Sequence, residues 1–260
     1  MIRKKSVIYW QVASVAMKIS EAYHMSNGYF NFKQFTIRQN RCAFKVGTDG
    51  VLLGAAADID GVNRILDIGA GTGLISLMLA QRCQAQITAI EPDKDSFEQA
   101  CMNIANSKWQ KRINILNSAL QDFNPENLQF DLIVSNPPYF RNSLKNPDPA
   151  KAASRHDLSL TVNELLKGVT RLLTEEGKLQ VIMPYNEGNI FITEASFYGL
   201  FCIKIIKIKP LPASVVRRLI LTFSRTRQEL VQQSLTIESG TRHDFTNEYK
   251  NLTKDFYLKF

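Results

Sequence analysis

The chain alternates short apolar runs with longer segments in which apolar residues recur at helical spacing. Short apolar runs bounded by turn residues are typical of buried strands, and longer amphipathic segments are typical of helices. The predicted strands lie at 64–68, 86–90, 112–117, 131–135 and 178–183. The predicted helices lie at 49–57, 74–82, 93–107, 162–173 and 187–198. This alternation predicts an α/β fold built on a mostly parallel sheet.

The two flanks of this region have a different pattern. Residues 29–46 alternate aromatic and polar positions, which predicts an N-terminal β-hairpin. After the last predicted helix, apolar runs at 200–208 and 215–223 predict a closing antiparallel pair of strands. Residues 235–237 are one further strand candidate. Thr161 is predicted to cap the helix at 162–173, and Gly177 is predicted to end it.

The stretch from Asp131 to Tyr139 carries the most informative chemistry. Its buried-strand residues run into Asn-Pro-Pro-Tyr, and a strand cannot continue through two prolines because proline has no backbone N–H. The turn holds a carboxamide (Asn136), a backbone carbonyl (Pro137) and a ring (Tyr139) where open α/β sheets bind ligands. Two acceptors beside a ring suit a planar amine, although Asn-Pro is also common turn chemistry.

A glycine-rich loop, Gly69-Ala70-Gly71-Thr72-Gly73, joins the strand at 64–68 to the helix at 74–82. Glycines allow a backbone to come close to a ligand at the start of a helix. A dinucleotide fingerprint requires Gly-x-Gly-x-x-Gly, and its last position falls on Leu74 here. The observed spacing, preceded by Asp67, therefore counts against a nicotinamide dinucleotide.

Two other positions are candidates for contact with the same ligand. Glu91 follows the strand at 86–90, where a carboxylate can hold two ribose hydroxyls; the alternative is a helix-terminal charge favoured by the dipole. Thr48 and Asp49 precede the apolar run at 51–57, and Thr48 is predicted to be the N-cap of a helix. Capping alone is one interpretation of this pair, and a position over the cofactor is the other.

Basic residues cluster in two further regions. Residues 140–158 have little periodicity and predict a mobile basic loop over the mouth of the site, in which Arg155-His156 could grip phosphate. A structural role for His156 is equally open. Lysines also interrupt the apolar run at 200–208, where they could contact RNA or simply protect an edge strand. The candidate nucleic-acid contacts are Arg141, Lys151, Arg155, His156, Lys204 and Lys207.

Composition narrows the class of protein. The 260 residues, 45% of them hydrophobic, are enough for one large core, and the net charge of +8 favours a polyanionic partner. Four cysteines without Cys-x-x-Cys spacing count against a zinc site or a disulfide framework and fit a reducing cytoplasm. Residues 1–24 resemble a signal peptide in part, but they have no cleavage site and are too short to span a bilayer. We expect these residues to be a dispensable extension or the result of a misassigned start, and we expect the protein to be soluble and cytoplasmic.

The motifs together resemble those of class I S-adenosylmethionine-dependent methyltransferases that act on planar nitrogens. The resemblance rests on residues 67–73, Glu91 and residues 136–139. The block at 44–54, Phe-Lys-Val-Gly-Thr-Asp-Gly-Val-Leu-Leu-Gly, and Arg155-His156-Asp157 are similar to the bacterial tRNA-valine adenine N6-methyltransferases. These enzymes modify the adenine just 3′ of the anticodon.

The resemblance implies a Rossmann-like fold with a seven-stranded, mostly parallel sheet whose last strand is antiparallel. It places an N-terminal hairpin and helix at 25–60, the catalytic domain at 61–228 and a C-terminal extension at 229–260. The expected cofactor is S-adenosylmethionine and the expected partner is tRNA, with no metal and with a monomer favoured.

The resemblance also assigns roles to single residues. Asp67 would orient the methionine ammonium above Gly69, Gly71 and Gly73, Glu91 would hold the ribose, and Thr48 and Asp49 would lie over the cofactor. Many relatives bond the cofactor adenine with an aspartate at the position of Ala119, so Asp122 or backbone groups at Ala119-Leu120 would have to substitute here. Asn136, which also borders the cofactor, and Pro137 would accept both amine hydrogens of a flipped base while Tyr139 stacks on its ring. The residues to which the resemblance assigns a role are, in chain order, Thr48, Asp49, Asp67, Gly69, Gly71, Gly73, Glu91, Asp122, Asn136, Pro137 and Tyr139.

Four other functions share some of these features. Release-factor glutamine methyltransferases also carry Asn-Pro-Pro-Tyr, but they usually have a helical N-terminal domain, and the segment before Asp67 has mixed β character. Adenine methylation of DNA or rRNA uses the same chemistry, but no separate target-recognition domain is visible. Leu74 counts against a nucleotide-binding oxidoreductase, and the intact motif at 136–139 counts against a catalytically dead RNA-binding scaffold.

Overall fold

The computed structural model describes residues 28–42, 45–137 and 160–259. The strands are β1 Tyr29–Asn31, β2 Thr36–Arg38, β3 Arg64–Ile68, β4 Gln86–Ile90, β5 Ile113–Leu116, β6 Phe130–Ser135, β7 Leu173–Pro184, β8 Phe201–Lys209, β9 Arg218–Ser224 and β10 Val231–Thr236. The helices are α1 Thr48–Ala56, α2 Leu74–Arg82, α3 Lys94–Ala105, α4 Val162–Leu172, α5 Tyr185–Phe197 and α6 Asn247–Thr253. The predicted extension at 1–24, Tyr139, Arg141, Lys151, Arg155 and His156 lie outside the described residues.

Strands β3 to β10 form one sheet, and β1 and β2 form the predicted antiparallel hairpin. In the described residues the sheet has eight strands in the order β10-β8-β9-β7-β6-β3-β4-β5. The run from β7 to β5 is parallel, and β9 is antiparallel to both β7 and β8. The α/β, mostly parallel fold is therefore confirmed.

The sheet has one strand more than the seven predicted. The added strand is β10, which pairs in parallel with β8, so the last strand along the chain is not antiparallel to its neighbour. Its first four residues are exposed and three of them are polar, so the apolar pattern marked only residues 235–237. The pairing also means that β8 is not an edge strand, and protection of an edge does not explain its lysines.

Each face of the sheet packs against its own set of helices. On the first face, Ile65, Leu132 and Ile220 share a core with the hairpin, α1, α2 and α6. On the second face, Leu66 and Leu221 share a core with α4 and α5. Because both faces are covered, the strands are nearly continuous apolar runs, which is why the sequence pattern marked them clearly.

Two predicted helix ends are wrong. Helix α1 begins at Thr48 and its N-cap is Gly47, without a side-chain cap, so Thr48 is an exposed first-turn residue rather than the cap. Helix α4 begins after the predicted capping residue, Thr161, but it ends at Leu172 and not near Gly177. Gly177 lies inside β7, where a Cβ would come 2.8 Å from the Leu173 side chain. That close approach, and not helix termination, requires glycine there.

The C-terminal residues pack onto the hairpin. The ring of Tyr257 stacks on that of Phe32 at 5.9 Å, and the N–H of Lys33 donates to the carbonyl of Phe256. Phe256 is itself buried in the core of the first face. The segment predicted as a C-terminal extension therefore contributes a strand to the sheet and an aromatic anchor for the hairpin.

Candidate active site

The strand ends that carry the predicted chemistry meet at one edge of the sheet. In the register, Ile68 of β3 is paired with Ile90 of β4 on one side and with Ser135 of β6 on the other. The glycine loop, Glu91 and Asn136 directly follow these three paired residues. Because these strands are parallel and adjacent, the three groups follow strand ends at the same carboxyl edge of the sheet.

The glycine loop is held in a conformation that other residues rarely adopt. The φ angles of Gly69, Gly71 and Gly73 are 74°, 56° and 80°. Residues with a Cβ are strained in this left-handed region, which explains the glycines at all three positions. The N–H groups of Gly69 and Ala70 both donate to the carbonyl of Ile90, which ties the loop to the end of β4.

Asp67 is a fully buried carboxylate immediately below the loop. Its Oδ2 accepts hydrogen bonds from the Ser76 hydroxyl at 2.6 Å and from the Ser76 N–H at 3.1 Å. Its Oδ1 is buried without a hydrogen-bond partner among the described residues. Burial raises the pKa of the Asp67 carboxyl to about 6, the hydrogen bonds from Ser76 act against this rise, and the charge of Glu91 adds to it.

Glu91 supports the glycine loop from the end of β4. Its Oε2 accepts from the N–H of Gly71 at 2.7 Å, and its Oε1 accepts from the N–H of Asp93 at 2.9 Å. Burial raises the pKa of this carboxyl, while these two backbone donors act to lower it. Each carboxylate oxygen keeps a second acceptor position, so ribose hydroxyls remain compatible with these bonds.

Sequence reasoning missed two polar residues that position the site. The Asn103 amide donates to the carbonyls of Thr72 and Arg38, and its oxygen accepts from the Arg38 N–H, so α3 joins the glycine loop to the hairpin. The Ser135 hydroxyl donates to the carbonyl of Ile68 and joins the ends of β6 and β3. The sequence could have pointed to both, because each is a polar residue at a position where the helical or strand pattern requires burial.

Asn136 and Pro137 lie at the carboxyl edge of the sheet, at the start of the Asn-Pro-Pro-Tyr motif. Asn136 is half-buried and Pro137 is buried, and both directly follow β6 beside the Ser135 bond. Pro138 and Tyr139 are outside the described residues. The stacking role of Tyr139 therefore stays a prediction.

Helix α1 brings Thr48 and Asp49 to the same edge. A Cβ at Gly50 would lie 3.1 Å from the side chain of Leu74, the first residue of α2, so the two helix starts are close together. The Asp49 carboxylate forms an ion pair with Arg218 at the start of β9, with 2.8 Å between Oδ2 and Nε. This pair fixes α1 to the sheet next to the glycine loop.

The candidate contact for the cofactor adenine lies beyond β5. Asp122 is exposed in a turn in which its N–H donates to the carbonyl of Ala119. Leu120, between them, is buried. Asn117 donates to the carbonyl of Glu91, which holds this turn against the end of β4. A role for Asp122 with the cofactor stays a prediction.

The two candidate lysines on β8 lie on opposite faces of the sheet. Side chains alternate along a strand, so Lys204 shares the first face with Ile206, while Lys207 shares the second face with Ile205. The two lysines therefore cannot form one continuous patch. Lys207 is near the carboxyl edge, because its neighbour Ile208 pairs with Arg218.

No group of three or more His, Cys, Asp or Glu side chains among the described residues is arranged to hold a metal ion. Across the same residues, none of the helices combines the length and apolar character needed to cross a membrane.

The residues at this edge fit S-adenosylmethionine. Asp67 Oδ1 is a buried acceptor that an ammonium group can satisfy. A Cβ at Gly69 or Gly71 would meet nothing within 4 Å, so the loop leaves open space above its backbone. Glu91 adds a carboxylate at the end of the neighbouring strand. The fold and the site together define a class I, S-adenosylmethionine-dependent methyltransferase.

Comparison with known proteins agrees with this methyltransferase class and identifies the family. The family model described as Methyltransferase small domain matches residues 47–199. A predicted O-methyltransferase of Agrobacterium tumefaciens shares the fold, with a TM-score of 0.61 and 21% identity over 80% of this chain and 96% of that chain.

Curated relatives are similar over almost their whole length. A tRNA1(Val) (adenine(37)-N6)-methyltransferase of Phocaeicola vulgatus is 48% identical over 90% of this chain and 99% of its own. The protein of that name from Trichodesmium erythraeum is 43% identical over 91% of this chain and 100% of its own. The chain belongs to the tRNA1(Val) (adenine(37)-N6)-methyltransferase family.

Proposed function

We propose that this protein transfers a methyl group from S-adenosylmethionine to the exocyclic N6 of adenine 37 in a valine tRNA. The observation that carries the proposal is the position of Asn136 and Pro137 at the end of β6, beside the glycine loop and Glu91. The names of the relatives supply the target nucleotide. A cytoplasmic location, a monomeric state and the absence of a metal stay predictions.

The chemical problem is that an exocyclic adenine amine is a poor nucleophile, because its lone pair is delocalised into the ring. The Asn136 Oδ1 and the Pro137 carbonyl are two acceptors that can bind both amine hydrogens. Holding both hydrogens on one side favours a tetrahedral nitrogen with a localised lone pair. Positive charge that develops on the nitrogen is stabilised by the two oxygens.

S-adenosylmethionine supplies an electrophilic methyl group when it is bound. Asp67 would hold its ammonium group, and Glu91 would hold its ribose hydroxyls. The proposed supporting contacts come from Thr48, Asp49 and Asp122. A strong general base is not required if the proton leaves the nitrogen after transfer, which agrees with a site built from acceptors and dipoles.

The assay that tests the function uses the purified protein with in vitro transcribed valine tRNA. We expect one methyl group per tRNA, recovered as N6-methyladenosine by mass spectrometry of digested nucleosides. A transcript with guanine in place of adenine 37 should accept none. Methylation of a release factor, with no product on tRNA, would instead favour the glutamine methyltransferase alternative.

The pKa of Asp67 predicts how cofactor binding depends on pH. The folded carboxyl has a pKa of about 6 against an ordinary value of 3.8, so the folded protein binds the extra proton between these values. The free energy of unfolding therefore falls as pH rises from about 3.8 to about 6. Above about pH 6 the carboxyl is mostly ionised, and this is the form that can accept hydrogen bonds from an ammonium group. We expect the affinity for S-adenosylmethionine to weaken below pH 6, approaching about tenfold per pH unit.

Calorimetry from about pH 5 to about pH 8 measures this dependence. Glu91, whose pKa is also raised, titrates in the same direction, so the comparison needs a variant that keeps Glu91. Asp67→Asn does so, and its affinity should be lower and much less dependent on pH. An identical pH profile in wild type and Asp67→Asn would remove Asp67 from the binding site.

A further inference from the structure

An exposed tyrosine lies at the carboxyl edge, directly after β7, and β7 is paired with β6, the strand that Asn136 follows. Tyr185 directly follows the last residue of β7 and begins α5, and 43% of its surface is exposed. Its N–H donates to the carbonyl of Arg217, and its carbonyl accepts from the Asn189 amide at 2.7 Å. The backbone of Tyr185 is therefore held at both its donor and its acceptor, while much of the side chain faces solvent.

The register gives the distance of Tyr185 from the reacting groups. Ser135 of β6 is paired with Val181 of β7. Asn136 is one residue beyond this pair, and Tyr185 is four residues beyond it. At the rise of a strand, a difference of three residues is about 10 Å. Tyr185 is thus too far along the edge to touch the amine bound by Asn136, but it can contact a neighbouring nucleotide.

Three cations lie along the carboxyl edge on the side of Tyr185 away from Asn136, on or next to strands β8 and β9. Arg217 is exposed and joins Tyr185 to Ile208 through backbone hydrogen bonds. Lys207 and Lys209 are half-buried on β8, on either side of Ile208. No ion pair joins these three cations to an acid within the described residues. The nearest acid along the chain from Tyr185, Glu187, is half-buried and is a single charge against three.

We propose that Tyr185 is a stacking platform for a nucleotide next to the methylated adenine, and that Lys207, Lys209 and Arg217 neutralise the phosphates of that strand. An exposed ring beside cations matches single-stranded RNA, in which bases stack on aromatic side chains and phosphates need counter-charges. A protein partner with an apolar surface would leave the three cations without counter-charges, so it fits this surface less well than RNA. The inference rests on the proposed function, because it takes the strand that carries the target as the ligand.

The test compares Tyr185→Ala, Tyr185→Phe and Phe197→Ala. Phe197 is a matched control: it is 81% exposed and lies at the other end of α5, about 18 Å away along the helix axis. The ligand is a fluorescent anticodon stem-loop of valine tRNA, with binding followed by anisotropy. We expect Tyr185→Ala to weaken binding about 5- to 150-fold. Tyr185→Phe and Phe197→Ala should bind like wild type, and all three should bind S-adenosylmethionine normally by calorimetry.

A second pair of variants tests the cations. Lys207→Gln should reduce the slope of log affinity against log salt by about 1, because one phosphate contact is lost. Lys111→Gln is the control, since Lys111 is exposed in the 3₁₀ turn before β5, at the opposite edge of the sheet. Its slope should equal that of wild type.

Each outcome supports or overturns the proposal. If Tyr185→Ala binds like wild type, or if Tyr185→Phe loses as much as Tyr185→Ala, stacking at Tyr185 is wrong while the proposed function stands. Equal losses in Tyr185→Ala and Phe197→Ala would indicate damage to α5 and would also overturn it. Wild-type protein that neither binds nor methylates this RNA, but methylates a release factor, would overturn both the platform and the proposed function.

Discussion

Replacing Asn136 with alanine is expected to lower the rate of methyl transfer in a single turnover by about 10²–10³-fold, the scale for losing one preorganised polar partner. The substitution removes one of two acceptors for the amine but leaves the glycine loop, Glu91 and the exposed cations in place. The lost bond strengthens as the nitrogen gains charge, so the loss should appear in the chemical step. Binding of tRNA should persist, because its affinity depends mainly on phosphate contacts.

Single-turnover methylation with saturating S-adenosylmethionine measures this effect directly. Asn136→Asp is the sharper comparison, because it keeps an acceptor and adds a charge, and we expect it to retain more activity than Asn136→Ala. A variant without the Ser135 hydroxyl is a second control, because it would loosen the ends of β6 and β3 and keep the Asn136 amide. If Asn136→Ala turned over at nearly the wild-type rate, the Asn-Pro-Pro-Tyr corner would be only a turn and the proposed mechanism would be wrong.

Replacing Glu91 with alanine is expected to weaken S-adenosylmethionine binding by about 1.5–3 kcal/mol, the range for a hydrogen bond to a charged group. This corresponds to roughly 10- to 150-fold in affinity. The substitution would remove the proposed bonds to the ribose, and the half-buried N–H groups of Gly71 and Asp93 would lose their acceptor. The loop would therefore be less well held in addition to losing a direct contact.

A control separates binding from loss of local structure. Asp93 is the N-cap of α3 and accepts from the N–H of Ser96, so Asp93→Ala should lower stability by about 1 kcal/mol with little effect on the cofactor. Calorimetry gives the affinity of each variant, and thermal unfolding gives its stability. If Glu91→Ala matched Asp93→Ala in both measurements, Glu91 would have a structural role only.

The sequence by itself determined the order of the elements and the chemistry at the strand ends. The buried strands β3, β4 and β6 are short apolar runs, and α4 carries apolar residues at helical spacing, so local pattern marked each of them. Parallel strands bring their carboxyl ends to one edge, which is why the sequence alone groups Asp67, Glu91 and Asn136. The alternation along β8 could also have separated Lys204 from Lys207, since their spacing is odd.

The tertiary structure alone decided which distant groups hold the site in place. Asn103 reaches Thr72 across 31 residues and Arg38 across 65, and Arg218 reaches Asp49 across 169. Strand β10 joins the sheet although its exposed residues lack an apolar pattern, because β8 offers it a row of backbone donors and acceptors. Likewise, Tyr185 reads as an ordinary helix start in the sequence, and only the pairing of β6 with β7 places it on the same sheet edge as Asn136, about 10 Å farther along. Such contacts depend on chain segments meeting in space, and no local period records them.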